Sequence, residues 1–326
     1  MVLWTALGAV VTALALTGVA VWQNTYAIQE RRVTIPGPGG VPLDAVLALP
    51  ERPAGRAGLV VFVHGDGPVD ATHDTYYRPL WEAFARAGYA SLSWNKPGVA
   101  GSAGDWLDQT MDDRAAETAA AIGWARGRPE IDPGRIGLWG ISQAGWVLPK
   151  VAARTPGIRF VIAVSPAVNW LRQGRYNTLA ELADEGAPPE RVRAALAARE
   201  HRLALLRKGL PYDGADITPG RWRFIARNHR ADATADLRAV PRGVRVLLVL
   251  GGRDLNVDVA ETEAVYRRVL SGGALRVVRY PAATHGIVPE AVESSPLRST
   301  LTAVFAPRAL YAPGYLSTQA AFLNSA

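Results

Sequence analysis

An α/β fold, built on an eight-stranded and mostly parallel sheet with helices on both faces and a helical insertion, is what this chain predicts. Three observations carry the prediction. Short runs rich in Val, Ile and Leu recur along the sequence, helix-like stretches fall between most of them, and one connection is far longer than the others. Short apolar runs bounded by turn residues read as strands buried on both faces. Strands that alternate with helices imply a parallel sheet covered on both sides.

The strand candidates, in order, are 33–35, 43–49, 58–63, 88–94, 135–139, 159–164, 244–250 and 275–280. The first two are joined by the Pro36 to Pro42 turn region with no intervening helix, so that pair should be antiparallel. Helical patterns are expected at 75–87, 112–127, 143–155 and 258–271. Pro149 should kink the third of these or end its first segment. Between the sixth and seventh strands the segment 169–242 is too long for an ordinary connection. It is expected to be a lid, with helices over Leu179–Glu185 and from Ala187-Pro188-Pro189 through Arg207. Its Trp170, Tyr176, Tyr212, Trp222 and Phe224 either line a pocket or pack the lid onto the body. Pro313 to Leu323 reads as a final docking helix, and the folded body is expected to span 30–326.

The stretch Gly140-Ile141-Ser142-Gln143-Ala144-Gly145 lies between the strand Arg135–Trp139 and a helix. A serine on that tight bend is turned outward, with small residues where bulky ones would clash, which is the logic of a nucleophile elbow. Gly-x-Ser-x-Ala alone is also an ordinary turn pattern. What adds weight is downstream: Asp254 follows the seventh strand in Gly251-Gly252-Arg253-Asp254, and His285 follows the eighth in Ala283-Thr284-His285-Gly286. Serine needs a base to become a nucleophile, and the base needs a third group to fix its tautomer. Ligands in such sheets bind beyond the carboxyl ends of the strands, where all three residues fall. Asp258 is the rival acid, less favoured because Asp254 sits directly after the strand. His64-Gly65-Asp66-Gly67 follows the third strand and can present backbone N–H groups to a developing oxyanion. The two donors expected are the amides of Asp66 and Gln143; His64 is expected to support the loop through hydrogen bonds.

The chain resembles the α/β-hydrolase superfamily of serine esterases, peptidases and thioesterases. It is most similar to bacterial members with His-Gly-x-Gly, Lys-x-Gly-Val and Gly-x-Ser-x-x-Gly elements, here His64–Gly67, Lys96–Val99 and Gly140–Gly145. The resemblance covers roughly residues 33 to 324 and implies an acyl-enzyme on Ser142 with His285 as base and Asp254 as orienting acid. Ester hydrolysis is the first expectation. A peptidase or acyl-thioesterase on the same residues is the alternative, and a membrane-tethered, non-catalytic binding protein is the second.

Composition bounds the rest. Hydrophobic residues make up 49% and charged residues 20%, enough apolar material for a sizeable core. The net charge of +7 is spread over scattered arginines rather than a dense basic run, which argues against nucleic acid as a partner. The absence of cysteine removes disulfides and thiolate chemistry. No phosphate-cradling loop or dinucleotide fingerprint is present, so no cofactor is expected, and no metal either; the partner expected is a small ester or acyl substrate. Val2 to Trp22 carries no charge and is long enough to cross a bilayer, so residues 1–24 are expected to form a membrane anchor. A cleaved signal segment with subsequent secretion is the alternative.

Overall fold

The computed structural model describes residues 14–270 and 275–325. Its body runs β1 (Ile28–Pro36), β2 (Pro42–Pro50), β3 (Ala57–Val63), α1 (Arg78–Arg86), β4 (Tyr89–Trp94), α2 (Met111–Arg126), β5 (Ile131–Ile141), α3 (Leu148–Arg154) and β6 (Ile158–Val164). The long connection then forms α4 (Trp170–Asp184), α5 (Pro189–Lys208), α6 (Pro219–Asn228) and α7 (Thr234–Ala239). The chain closes with β7 (Arg245–Gly251), α8 (Val259–Val269), β8 (Leu275–Tyr280), α9 (Glu290–Glu293), α10 (Pro296–Phe305) and α11 (Tyr315–Asn324).

The eight strands form one sheet in the order β1-β2-β4-β3-β5-β6-β7-β8. The β1–β2 and β2–β4 pairs are antiparallel, and every pair from β4 to β8 is parallel. The central strands are apolar because both their faces are covered. Leu59, Val60, Val61 and Phe62 of β3 are all fully buried, alternately against the two layers. From β3 the chain proceeds to β4 on one side and later to β5 on the other. This reversal places a crevice at the carboxyl ends of β3 and β5.

One of the two layers is dominated by aromatic rings. Phe62, Tyr77, Trp81 and Trp139 pack with centroid separations from 4.7 to 6.3 Å. Tyr311 stacks on Tyr315 at 5.2 Å, and α11 lies against the same layer. Burial holds the phenols of Tyr77, Tyr311 and Tyr315 well above their ordinary range, as it does that of Tyr266 on the opposite layer.

The membrane span expected over Val2–Trp22 is corrected. No helix among the described residues is long and apolar enough to cross a membrane. Residues 2–13 of that stretch lie outside the described residues, and 14–23 are helical. The turn that follows is tied to the body: Arg308 donates to the carbonyls of Gln23 and Thr25 and pairs with Glu82 at 2.7 Å. A single span is therefore withdrawn as the basis for localisation.

Candidate active site

The turn after β5 carries Ser142 with φ of 58°, a left-handed conformation that costs a non-glycine residue energy and must be imposed by its surroundings. Space around it is tight. A Cβ on Gly140 would lie 2.6 Å from that of Ala144, and one on Gly145 would lie 2.3 Å from the carbonyl of Ala167. The methyl of Ala144 thus occupies room that Gly140 leaves, and the second small position of the turn is Gly145. Ser142–Trp146 forms a 3₁₀ turn, and α3 begins at Leu148 with Pro149 in its first turn. The proline closes one segment and opens the next, since its missing N–H would be unpaired there in any case.

Asp254 and His285 are brought together. His285 Nδ1 donates to Asp254 Oδ2 at 2.8 Å, and the Asp254 side chain is closed to solvent. Its other oxygen accepts from the amides of Asn256 at 2.8 Å and Val257 at 2.9 Å. The approach of the two loops depends on Gly251, where a Cβ would sit 2.1 Å from the Thr284 carbonyl. Gly252 and Arg253 then donate to the carbonyls of Tyr280 and Ala283, both at 2.8 Å. Asp258 is engaged elsewhere: it caps α8 by accepting from the Glu261 amide at 2.9 Å. Two tyrosines steady the pair, Tyr176 donating to the Asp254 carbonyl and Tyr76 to that of Gly286, each at 2.8 Å.

Ser142 makes no hydrogen bond to His285. The serine stands at the carboxyl end of β5, on the same edge of the parallel sheet as Asp254 and His285, two strands away from β7.

The loop after β3 is organised from beneath by buried cations. Lys96 Nζ donates to the carbonyls of Gly65 at 2.6 Å and Gly67 at 2.7 Å, with the Trp106 ring 4.9 Å away. Arg114, in the first turn of α2, donates to the carbonyl of His64 at 2.6 Å and to Gln143 Oε1 at 2.5 Å. Burial pulls Lys96 well below its usual range, and Arg114 beside it adds to the effect. His64 sits between the Trp94 carbonyl, 2.6 Å from Nε2, and the Tyr77 hydroxyl, 3.0 Å from Nδ1. Burial and the Lys96 charge depress its pKa well below the ordinary imidazole value, so it is a neutral strut.

These contacts orient two amides. The carbonyl of one residue and the N–H of the next share a trans peptide plane and point opposite ways. Lys96 holds the Gly65 carbonyl, so the Asp66 N–H is aimed away from it, and no described residue accepts that amide. The Ser142 carbonyl accepts from the Ala167 amide at 2.9 Å, which turns the Gln143 N–H outward likewise. Gln143 also lies in the opening turn of a helix, where amides lack a partner within the helix. The Asp66 and Gln143 side chains meet, Nε2 of the glutamine donating to Asp66 Oδ1 at 2.8 Å. Arg221 of α6 grips the Asp66 carboxylate with both terminal nitrogens. Burial pushes that carboxyl up, but the hydrogen bonds and charge of Arg221, with help from Lys96, hold it below the usual carboxylate range.

The family model described as X-Pro dipeptidyl-peptidase (S15 family) matches residues 39–277, well over half of the chain. The chain belongs to the S15 family. It is an α/β-hydrolase of the serine type, and solved structures share the architecture of this S15 member. An esterase of Pyrococcus furiosus is 16% identical, with 85% of this chain and 90% of that one covered at a TM-score of 0.57. A dienelactone hydrolase from Anabaena variabilis is 18% identical over 92% and 97%, at 0.53. Est1E from Butyrivibrio proteoclasticus is 16% identical over 90% and 96%, at 0.54. No curated protein matches.

In this S15 chain neither Arg114 nor Arg221 stands in a motif of the sequence. Lys96 had a readable trace, since Lys-x-Gly-Val follows a buried strand. Of the aromatic residues of the β6–β7 connection, Tyr176 holds the Asp254 carbonyl, Tyr212 and Trp222 line a cavity, and four of the five also make ring contacts. Trp170 stacks on Trp146 at 4.7 Å, Phe224 meets Trp106 at 5.4 Å, and Tyr212 stacks on Trp222 at 5.0 Å.

Proposed function

We propose that this S15-family hydrolase cleaves small carboxylic esters through an acyl-enzyme on Ser142. The observation that carries the reading is the His285–Asp254 pair at 2.8 Å, at the sheet edge where Ser142 is turned outward. His285 Nε2 takes the Ser142 hydroxyl proton as Oγ bonds to the carbonyl carbon. Asp254 keeps the imidazole in the required tautomer and stabilises its charged form. The carbonyl oxygen, now negative, receives the amides of Asp66 and Gln143. His285 then protonates the departing alkoxide. Water repeats the sequence on the acyl-enzyme and releases the acid. In this reading the connection α4–α7 is a lid whose packing keeps water from the reacting atoms, which strengthens charge stabilisation there.

Esters are favoured because their leaving groups need little help, and because a solved structure with this architecture, from Pyrococcus furiosus, is described as an esterase. Peptide cleavage is the second reading, favoured by the family's own description. A fluorophosphonate probe should label Ser142, and Ser142→Ala should lose both labelling and burst-phase acylation while keeping its circular dichroism. p-Nitrophenyl esters of increasing chain length, compared with X-Pro amides, then separate the two readings. Labelling and turnover that survive in Ser142→Ala would discard the assignment.

A further inference from the structure

The residues that carry the two candidate oxyanion amides are joined by their own side chains, and the join continues at both ends into arginines. The order is Arg114, Gln143, Asp66, Arg221, with contacts of 2.5 Å, 2.8 Å and a two-point guanidinium grip. Arg114 comes from the body. Arg221 comes from the β6–β7 connection and is the third residue of α6, where its own amide is fixed by the Thr218 hydroxyl at 3.2 Å.

A carboxylate is an unusual neighbour for a site that must accept negative charge. An unneutralised Asp66 would repel an oxyanion forming at its own amide. The guanidinium that cancels it is itself held over the rings of Trp106 at 5.6 Å and Phe224 at 5.0 Å. A cation in the first turn of a helix opposes the helix dipole, so Arg221 is badly placed for stabilising α6 and well placed for meeting Asp66.

We propose that Arg221 is a positioning residue for acyl transfer: by holding and neutralising Asp66 it makes the oxyanion site depend on the seating of the β6–β7 connection. This rests on the serine-hydrolase reading given above. Arg221 touches no reacting atom and acts through Asp66.

The test measures kcat and KM on a p-nitrophenyl ester for wild type, Arg221→Gln, Asp66→Asn with Arg221→Gln, and Arg227→Gln. Arg227 anchors the same helix to the body through the Leu107 carbonyl at 3.0 Å and Asp108 at 3.2 Å, without touching the loop. Arg221→Gln should lower kcat by roughly 10- to 100-fold, less than the hundredfold to thousandfold loss of a whole oxyanion donor, with KM changed less than about threefold. Adding Asp66→Asn removes the unbalanced charge while leaving an acceptor for Gln143, and should recover most of that loss. A role confined to holding α6 would give no such recovery and would be shared by Arg227→Gln, expected within about twofold of wild type. Unchanged kcat in Arg221→Gln, or a double variant no better than the single, overturns the proposal. If wild type takes the fluorophosphonate probe at Ser142 while either occurs, only the role of Arg221 falls; if wild type takes no probe, the hydrolase reading falls with it.

Discussion

The Asp254 carboxylate, shut away from solvent, accepts two backbone amides and His285, whereas Asp258 accepts one amide at the start of a helix. The two acids therefore make different predictions. Asp254→Asn keeps the shape but presents the wrong hydrogen-bonding partner to the imidazole, and kcat should fall by about four orders of magnitude. Asp258→Ala should leave kcat within about twofold and cost ~1 kcal/mol of helix-cap energy in a denaturant titration. If Asp258→Ala were the variant that lost turnover, the roles would be reversed. Asp254 and His285 are readable in the sequence because each directly follows a strand-like run. Arg114 and Arg221 are not. An arginine on a helix normally marks a solvated face, and nothing local separates these two from the many others in the chain.

At the scale of elements, strand candidates are legible because the central strands are buried on both faces and so spell continuous apolar runs. Where another demand intervenes the edges blur. β1 extends back to Ile28 through Gln29, Glu30, Arg31 and Arg32, polar and charged residues suited to an unpaired sheet edge rather than a strand core. β5 starts at Ile131, before a Pro133-Gly134 pair that reads as a turn, and its register shifts between Ala57 and Leu59 of β3. Helices α6 and α7 are not visible in the pattern, both being short and α6 rich in arginine, and they owe their place to packing through Phe224 and Leu237. The junction of the β7 and β8 loops offers a sharp test. Gly251→Ala would drive a methyl into the Thr284 backbone, which cannot rotate away as a side chain end could. Destabilisation of about 1–3 kcal/mol by denaturant midpoint is expected, along with loss of activity as the His285 loop shifts. A variant as stable as wild type would show that the loops do not need this approach.

For the molecule as a whole, the reversal of direction at β3 and β5 is what gathers the His64 loop and Ser142, while the two strands beyond β6 supply Asp254 and His285. That much follows from the alternation of strands and helices. The brace beneath the loop does not, because Lys96, Arg114 and His64 meet only through the tertiary fold.

The burial of phenols on both layers has an optical corollary. Tyr77, Tyr266, Tyr311 and Tyr315 have folded-state pKa values raised by burial, so the native chain keeps protons that the denatured chain releases above about pH 10. Native stability should accordingly drain away as alkalinity increases beyond that point. Ultraviolet absorbance of phenolate should rise smoothly at first, from the accessible rings, and then jump together with the collapse of circular dichroism. A smooth rise to completion with the dichroism intact would contradict it. The four silent rings would thus serve as a built-in gauge of global opening, legible without any attached dye.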